Sequence, residues 1–226
     1  MHELRTQLAG LNPDILFLQE VQGAHSRHAM RISNWPALPQ HEFLAAELGL
    51  EVAYGGNAIY DHGHHGNAIV SRFPIVRSEN TDVSSHAFER RGLLHCEIRI
   101  AGIEEIVHCL CVHLGLDERG RQGQASTLIG QINAAVPRGA PLIVAGDFND
   151  WRNRVGARMV RELGVTDVFR DERGRPPRSY PSALPMLRLD RIYVRGFQVQ
   201  HVAVHHGPPW SRLSDHAALS AQITIG

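Results

Sequence analysis

The 226-residue chain is 43% hydrophobic, which is enough for a sizeable core. Its 23 basic and 23 acidic residues cancel to a formal net charge of zero, which argues against the basic excess that nucleic-acid-binding domains use for phosphate contacts. No apolar run approaches the roughly 18 residues that span a bilayer, and the start, MHELRTQLAG, lacks the layout of a secretion signal, so we expect a cytoplasmic location, with peripheral membrane contact left open.

The first third of the chain predicts a helix, a strand and a second helix. Leucines recur at helical spacing near the start, and after the NPD break the run ILFLQE predicts a buried strand that ends at Glu20. Residues 21–62 indicate loop and short helix, with HEFLAAELG (41–49) the clearest helix and Gly49 its expected end. The run GNAIVSRFPIV then predicts a strand element that its proline interrupts.

The middle of the chain predicts a hairpin, a helix and a central strand. GLLHCEIRI (92–100) and EIVHCLCVHL (105–114) are typical of strands and are joined through an Ala-Gly turn. Apolar residues from 125 to 136 repeat at the spacing of one buried helix face, and the run PLIVAGD after them predicts a buried strand. The three cysteines of this region are too few for a disulfide framework, which suits a reducing compartment.

The last third predicts a short helix, a loop and three strands. Val155, Met159 and Leu163 have helical spacing, and RDERGRPPRSYPSALP indicates a polar, proline-rich loop. LDRIYV and FQVQHVAVHH predict strands, and HAALSAQITI alternates like a half-buried strand. The mixture of hairpins and strand–helix–strand units predicts one α/β domain over residues 1–226, with mixed sheets and helices outside.

Polar side chains recur just beyond these apolar strands. A single carboxylate at a strand end usually caps a helix or forms a turn. Together, four carboxylates, two carboxamides and two imidazoles supply what phosphodiester hydrolysis requires: ligands for a hard cation, a group that orients the attacking water, and donors for the phosphate. These residues are Glu20, Asn67, His113, Asp147, Asn149, Asp190, Asp215 and His216.

The short sequence motifs that contain these residues are specific for one superfamily. LQE, GNAIVSRFP, VHL, GDFN, LDRIYV and SDHAAL occur in the order and approximate spacing of the endonuclease/exonuclease/phosphatase superfamily, and the chain resembles that superfamily over nearly its whole length. The longer runs AGDFNDWR and LRLDRIYV look like a bacterial branch of it. The resemblance implies the fold of deoxyribonuclease I, a four-layer α/β/β/α sandwich in which two mixed β-sheets lie face to face with helices outside.

The resemblance also implies a role for each acidic motif. Glu20 resembles the glutamate that holds the divalent ion, Mg²⁺ or Mn²⁺, and Asp215 a second acidic residue at or near the metal site. Asp147 resembles the aspartate that orients or deprotonates the attacking water, and Asn149 its partner that holds the phosphate. The expected activity is therefore metal-dependent hydrolysis of a phosphodiester.

The histidines complete the implied site. His216 resembles the histidine that contacts the phosphate or acts as base, and Asp190 the aspartate that is hydrogen-bonded to it. His113 occupies the position of a phosphate-gripping or acid residue, where relatives carry His or Tyr. Three further residues are predicted to bind substrate, namely Asn67, Arg91 and Trp210.

Two of these substrate predictions compete with a structural interpretation. Arg91 either reaches a substrate phosphate or forms a surface ion pair with Glu89 or Asp82. Trp210 either anchors its rigid loop by packing or forms an aromatic rim that contacts a base or a lipid.

One feature departs from the superfamily pattern. Its members usually begin with a strand that carries an asparagine, placed just before the first helix. This sequence starts inside what resembles that helix, so the domain is expected to lack its first strand, and a truncated reading frame is the favoured interpretation.

Several functions besides phosphodiester hydrolysis are compatible with the sequence. Cys109, Cys111 and His113 alternate on one strand and could form a zinc triad, and the histidines of DHGHHGNA could bind a transition metal, although a solvated loop is the preferred interpretation. A nuclease acting on DNA and a catalytically silent binding module on the same fold also stay open. Neutral net charge favours a small-molecule or phospholipid phosphodiester over long DNA. No protein partner is evident, and the oligomeric state is open.

Overall fold

The computed structural model describes residues 1–25, 35–46, 50–85, 89–170 and 174–226. The helices are α1 (His2–Leu11), α2 (Gln40–Ala46), α3 (Glu118–Ala135) and α4 (Arg154–Leu163). The strands are β1 (Ile15–His25), β2 (Glu51–Tyr60), β3 (Gly63–Ser71), β4 (Ile75–Asp82), β5 (Gly92–Ile98), β6 (Val107–His113), β7 (Leu142–Asp147), β8 (Thr166–Asp167), β9 (Asp190–Arg195), β10 (Phe197–His205) and β11 (Ala218–Ile225). Among the helices in these ranges, none combines the length and the hydropathy of a bilayer-crossing segment.

A six-stranded sheet forms the centre of the fold, with strand order β4-β5-β6-β7-β9-β8. Its neighbours pair antiparallel except β6 and β7, which run parallel and are connected through α3. A parallel pair needs such a crossover because the chain must return to the same end of the sheet. Every residue of β6 and β7 is buried, which explains their nearly continuous apolar runs.

Helices α3 and α4 cover one face of the six-stranded sheet. Leu128, Ile132 and Met159 from these helices pack in one core cluster with the strand residues Leu110 and Val144. All five side chains are nearly inaccessible to solvent. The apolar helical periodicity therefore marks the face that is buried against the sheet.

Two smaller antiparallel sheets cover the opposite face, one with order β1-β3-β2 and one that pairs β10 with β11. Phe17 and Ile69 of the first and Ile223 of the second pack in one cluster with Cys96 and Cys109 of the six-stranded sheet. Helices α1 and α2 pack outside β1 through a third cluster. The predicted four-layer sandwich with two major sheet layers is confirmed, with the second layer built from two antiparallel pieces.

The largest differences from the predicted elements lie in the β2–β3 hairpin. Strand β1 continues past its predicted end at Glu20, and β2 occupies residues that were expected to be loop. The histidines expected in a solvated loop lie in the turn and at the start of β3, where His64 Nδ1 is 2.8 Å from the hydroxyl of Tyr54. These residues lack apolar alternation, so their pairing with the distant strand β1 and with β2 defines them as strand. The expected helix end at Gly49 lies outside the described residues.

Candidate active site

A cavity of about 470 Å³ opens where the sheet layers meet. All the predicted site residues except Asn67 and Trp210 line it. The lining residues are Gln19, Glu20, Arg91, His113, Leu116, Asp147, Asn149, Trp151, Tyr180, Leu187, Leu189, Asp190, Ser214, Asp215 and His216. Side chains nearly 200 positions apart in the chain thus share one hollow.

Three adjacent strand ends deliver the centre of the site. His113 is the last residue of β6 and pairs in register with Asp147, the last residue of the parallel strand β7. Asp147 in turn pairs with Asp190, the first residue of the antiparallel strand β9. The carboxyl ends of parallel strands and the amino end of an antiparallel neighbour lie at the same sheet edge, so the three side chains converge there.

The turn after β7 fixes the GDFN segment. The backbone N–H of Asn149 donates to Asp147 Oδ1 at 2.8 Å, and the Asn149 carboxamide donates to the carbonyl of Leu114 at 2.9 Å. Asn149 has a φ of 48°, a left-handed conformation that asparagine tolerates better than most residues. The sequence therefore holds both polar side chains in place with local hydrogen bonds before any substrate is present.

A β-bulge directs Glu20 into the site. The register between β1 and β3 shifts between Leu18 and Val21, and Glu20 has a φ of 54°. Neighbouring residues of a regular strand point to opposite faces, but this irregularity lets both Gln19 and Glu20 line the cavity. The Gln19 carboxamide donates to the Cys111 sulfur at 3.3 Å, and the Glu20 side chain remains largely exposed.

His216 and Asp190 form the strongest polar pair of the site, with His216 Nδ1 2.9 Å from Asp190 Oδ2. Burial by itself lowers the pKa of His216, but the hydrogen bond to Asp190 and the charges of Asp190, Asp147 and Asp215 outweigh it and raise that pKa to about 9. His216 is therefore protonated at neutral pH and can donate a hydrogen bond to an anion.

His113 has the opposite protonation state. Burial, followed by the positive charges of Arg91, His216 and His65, lowers the pKa of His113 to about 3. Its Nε2 lies 3.5 Å from Asp147 Oδ2, but the neutral imidazole makes this a polar contact and not a salt bridge. The site thus holds one neutral and one cationic imidazole.

Asp147 is the buried carboxyl between these groups. Burial and the nearby charge of Asp190 raise its pKa to about 7, although His216, Arg91 and the Asn149 amide act in the opposite direction. A carboxyl with a pKa near the working pH can accept a proton and release it again, as a general base must. The electrostatics therefore distinguish Asp147 as proton acceptor from His216 as cationic donor.

Asn67 lies outside the cavity and connects the two sheet layers. Its carboxamide on β3 donates to the carbonyls of Gly92 and Cys111 at 2.8 and 3.3 Å, both in the six-stranded sheet. The side chain is 1% exposed. This position is structural, in contrast to the predicted contact with substrate, because both amide donor bonds are made within the core.

Trp210 is also remote from the cavity lining. It packs beside Leu8 and Leu16 in the cluster between α1 and β1, and its ring centroid lies 5.1 Å from that of His205. The packing interpretation describes this position, and the aromatic-rim prediction does not. Arg91 lines the cavity and also lies 3.6 Å from Glu89, so an ion pair and access to the cavity are present together.

Several residues that line the cavity were not predicted as site residues. The ring of Tyr180 is centred 5.0 Å from that of His216, and Leu187 pairs with Tyr180 through backbone hydrogen bonds. Both belong to the region expected to be an irregular polar loop and its end. Trp151 directly follows GDFND, and this adjacency was the one available signal. Gln19 also follows from adjacency, although strand alternation argued against it.

The donor set fits a hard divalent cation. Glu20 and Asp215 both line the cavity, and carboxylate oxygens are preferred ligands of Mg²⁺ and Mn²⁺. Within the described ranges, no three or more His, Cys, Asp or Glu side chains are grouped so as to hold a metal ion. Mg²⁺ commonly takes only one or two protein carboxylates and completes its shell with water and phosphate oxygens, so two carboxylates are a sufficient set.

The structure contradicts the zinc triad on β6. Cys109, Cys111 and His113 share one face, as predicted, but the cysteines lie in the core between the sheets. Burial raises the pKa of Cys111 to about 12 and holds that of Cys109 well above its ordinary value. The Cys111 sulfur is already hydrogen-bonded to the Gln19 carboxamide and the Leu18 carbonyl, and neither cysteine lines the cavity, so the two thiols are core groups.

The four layers and the polar cavity between them define a protein with the deoxyribonuclease I-like fold. The model of the Endonuclease/Exonuclease/phosphatase family matches residues 1–216. The chain is also 44% identical over 223 residues to "Uncharacterized protein YbhP" of Escherichia coli K12, which covers 99% of this chain and 88% of that protein. The chain belongs to the endonuclease/exonuclease/phosphatase family.

Solved structures share this fold at low sequence identity. The human Nocturnin catalytic domain with a bound sulfate anion has a TM-score of 0.77 and 20% identity, over 99% of this chain and 85% of that one. A mannosyl-6-phosphatase of Bacteroides thetaiotaomicron has a TM-score of 0.70 and 17% identity, over 98% and 89% of the two chains. Family members include phosphatases, nucleases and phosphodiesterases, which hydrolyse phosphoester bonds and commonly use divalent metals.

Proposed function

We propose that this protein is a Mg²⁺- or Mn²⁺-dependent hydrolase of a phosphodiester. The observation that carries the proposal is the pairing of a cationic His216, 2.9 Å from Asp190, with a buried Asp147 whose pKa is about 7, in one cavity. A protonated donor beside a proton acceptor is what addition of water to a phosphorus centre requires.

Four side chains of the cavity share the steps of this mechanism. Protonated His216 donates to a non-bridging phosphate oxygen and stabilises the negative charge that grows in the transition state, while Asp190 holds the imidazole in position. Asp147 orients the attacking water and accepts its proton as the water oxygen bonds to phosphorus. The bond between phosphorus and the leaving oxygen breaks, and the leaving alkoxide takes a proton from solvent at the open cavity. Asn149, fixed by its bond to the Leu114 carbonyl, contacts the phosphate from the side of the GDFN turn.

Glu20 and Asp215 are the residues that would hold the cation. When bound, a divalent ion neutralises charge on the phosphate oxygens. The Glu20 side chain is 67% exposed and its Oε1 lies 4.0 Å from His113 Nδ1, so the carboxylate can rotate toward a bound ion. Arg91 adds a fixed positive charge at the cavity wall.

The proposed substrate class follows from the volume of the cavity and the net charge of the chain. A cavity of about 470 Å³ has room for a small phosphodiester or a lipid headgroup, since ligand sites of small molecules typically span ~300–1,000 Å³. The formal net charge of zero provides no overall basic excess for phosphate contacts along long DNA. We therefore favour a small-molecule or phospholipid phosphodiester.

The test is hydrolysis of a substrate panel with Mg²⁺ or Mn²⁺: plasmid DNA, abasic DNA, phospholipid and inositol phosphate. We expect turnover of at least one phosphodiester and a loss of at least about a hundredfold in kcat for His216→Ala, as for removal of a charge-stabilising donor. His201→Ala, on an exposed position of β10, is the matched control and should keep the wild-type rate.

The remaining outcomes each have a defined meaning. Full activity of His216→Ala would refute the role of His216. Preferred cleavage of DNA would make the protein a nuclease of the same family. Absence of turnover on every phosphoester, in a protein that circular dichroism shows to be folded, would leave a non-catalytic binding module.

A further inference from the structure

Large apolar side chains are exposed around the mouth of the cavity. Leu116 and Trp151 line it while 62% and 42% exposed, and Leu187 lines it while 43% exposed. Scattered exposed apolar residues are normal, but a group around a ligand site marks a surface that contacts something apolar. The catalytic groups already described do not need these side chains.

A backbone-bonded lobe extends this apolar group. This lobe comprises residues 179–187. The backbone N–H groups of Ser179 and Tyr180 donate to the Leu187 carbonyl, with N···O distances of 2.8 and 3.2 Å. Those of Leu187 and Met186 donate to the Tyr180 carbonyl, at 2.7 and 2.8 Å. Tyr180 and Leu187 line the cavity, whereas Leu184 and Met186, which lie between them in the chain and are called the tip residues below, do not.

The tip side chains are among the most exposed large apolar groups of the described residues, Leu184 at 70% and Met186 at 59%. Backbone hydrogen bonds hold the segment that carries them, so both residues are kept at the surface. They therefore face the surroundings of the cavity mouth in the folded state.

The segment that carries Leu184, Met186 and Leu187 is basic, although the whole chain is neutral and four carboxylates line the cavity beside it. Residues 174–188 contain three arginines and no acidic residue, and Arg152 directly follows Trp151. Arginines interspersed with exposed Leu, Met and Trp side chains match an anionic phospholipid surface: the apolar groups enter the boundary between headgroups and acyl chains, and the guanidinium groups contact lipid phosphates.

We propose that the apolar mouth, defined as Leu116, Trp151, Leu184, Met186 and Leu187, docks on an anionic phospholipid bilayer. Docking in this orientation puts the cavity opening against the headgroup layer. A headgroup phosphoester then reaches Asp147 and His216 without leaving the membrane, a consequence that rests on the proposed function.

The experiment is flotation of the purified protein with unilamellar vesicles of phosphatidylglycerol and phosphatidylcholine, compared with vesicles of phosphatidylcholine alone. We expect wild type to bind the anionic vesicles and the double variant Leu184→Asn/Met186→Asn to lose at least about tenfold in affinity. Val76→Asn is the matched control, because Val76 is 49% exposed on β4 at the opposite end of the six-stranded sheet from His113.

Several results would overturn the docking proposal. They are absence of wild-type binding to anionic vesicles, equal loss in the Val76→Asn control, and retention of binding by the double variant. Concentration-dependent dimerisation that the double variant abolishes would assign the surface to a second copy of the chain instead, and displacement of vesicles by an oligonucleotide that binds the same surface would assign it to nucleic acid.

The two proposals fail separately. Vesicle binding without turnover of any phosphoester would keep the docking surface and refute the proposed function. Turnover of a soluble phosphodiester without vesicle binding would do the reverse. The soluble substrate also reports whether the double variant keeps an intact site, since neither tip residue lines the cavity.

Discussion

Arg191 offers the sharpest test of how the site is held together. It follows Asp190 on β9 and is 1% exposed. Its guanidinium donates to the carbonyls of Asp190 at 2.9 Å and of Asp150 at 3.1 Å, and its Nε lies 3.8 Å from Asp167 Oδ2. One buried cation thus ties the start of β9 to the turn that carries GDFND.

The substitution Arg191→Met keeps the apolar stem and removes the charge and both donors. Two buried carbonyls lose a partner, at ~1–3 kcal/mol for an unsatisfied group, and the Asp167 carboxyl loses its counter-ion. Burial raises the pKa of Asp167, and the backbone N–H of Phe169 followed by the charge of Arg191 opposes that rise. Breaking a buried pair costs ~3–5 kcal/mol in all, since the separate losses overlap.

The measurement is the free energy of unfolding from a urea titration that is monitored by circular dichroism. With a slope of ~2–3 kcal/mol per molar urea, the midpoint for Arg191→Met should fall by ~1–2.5 M. Arg138→Met, at an exposed position after α3, should change the free energy of unfolding by no more than ~0.5 kcal/mol.

A double-mutant cycle isolates the ion pair. Removing the Asp167 charge as well, in Arg191→Met/Asp167→Asn, should restore ~0.5–3 kcal/mol relative to the sum of the single variants. A cost below ~1 kcal/mol for Arg191→Met, or strict additivity of the two substitutions, would refute this account of the buried arginine.

Three further outcomes are expected. Gly146→Ala should lower the melting temperature sharply, because Gly146 has a φ of 141° and a Cβ there would lie 2.0 Å from the Val112 carbonyl; an unchanged melting temperature would contradict this backbone. The three buried cysteines should react with a thiol reagent only after denaturation, and labelling of the folded protein would count against their burial. Burial lowers the pKa of both His95 and His108 below 6.5, and His95 Nε2 lies 3.0 Å from His108 Nδ1, so the folded state resists protonation and stability is lost as pH falls below that value. The double variant His95→Gln/His108→Gln should therefore show a smaller drop in melting temperature between about pH 7.5 and 5.5 than wild type. A drop equal to that of wild type would exclude these histidines as its source.

The sequence by itself determined those helices and strands whose buried face is marked by a local pattern of apolar residues. Strands β5, β6, β7 and β9 and helix α3 follow from apolar runs and helical periodicity, because each is buried on one or both faces by layers that the pattern itself requires. The motifs at the strand ends also identified Asp147, Asn149 and His216 as members of a site. Their clustering in one cavity agrees with that interpretation.

Only the tertiary structure decided the features that depend on distant pairing. The glycine- and histidine-rich part of the β2–β3 hairpin has no hydrophobic alternation, and it is strand because β3 pairs with β1 on one side and with β2 on the other. The bulge at Glu20 put Gln19 in the cavity, and the lobe that carries Tyr180 reached His216 across 36 positions of the chain. Asn67 and Trp210 were predicted to contact substrate, but Asn67 is buried between the sheet layers and the partly buried Trp210 packs against the cluster between α1 and β1. A side chain's surroundings are set by the layers packed on it and not by its neighbours in sequence.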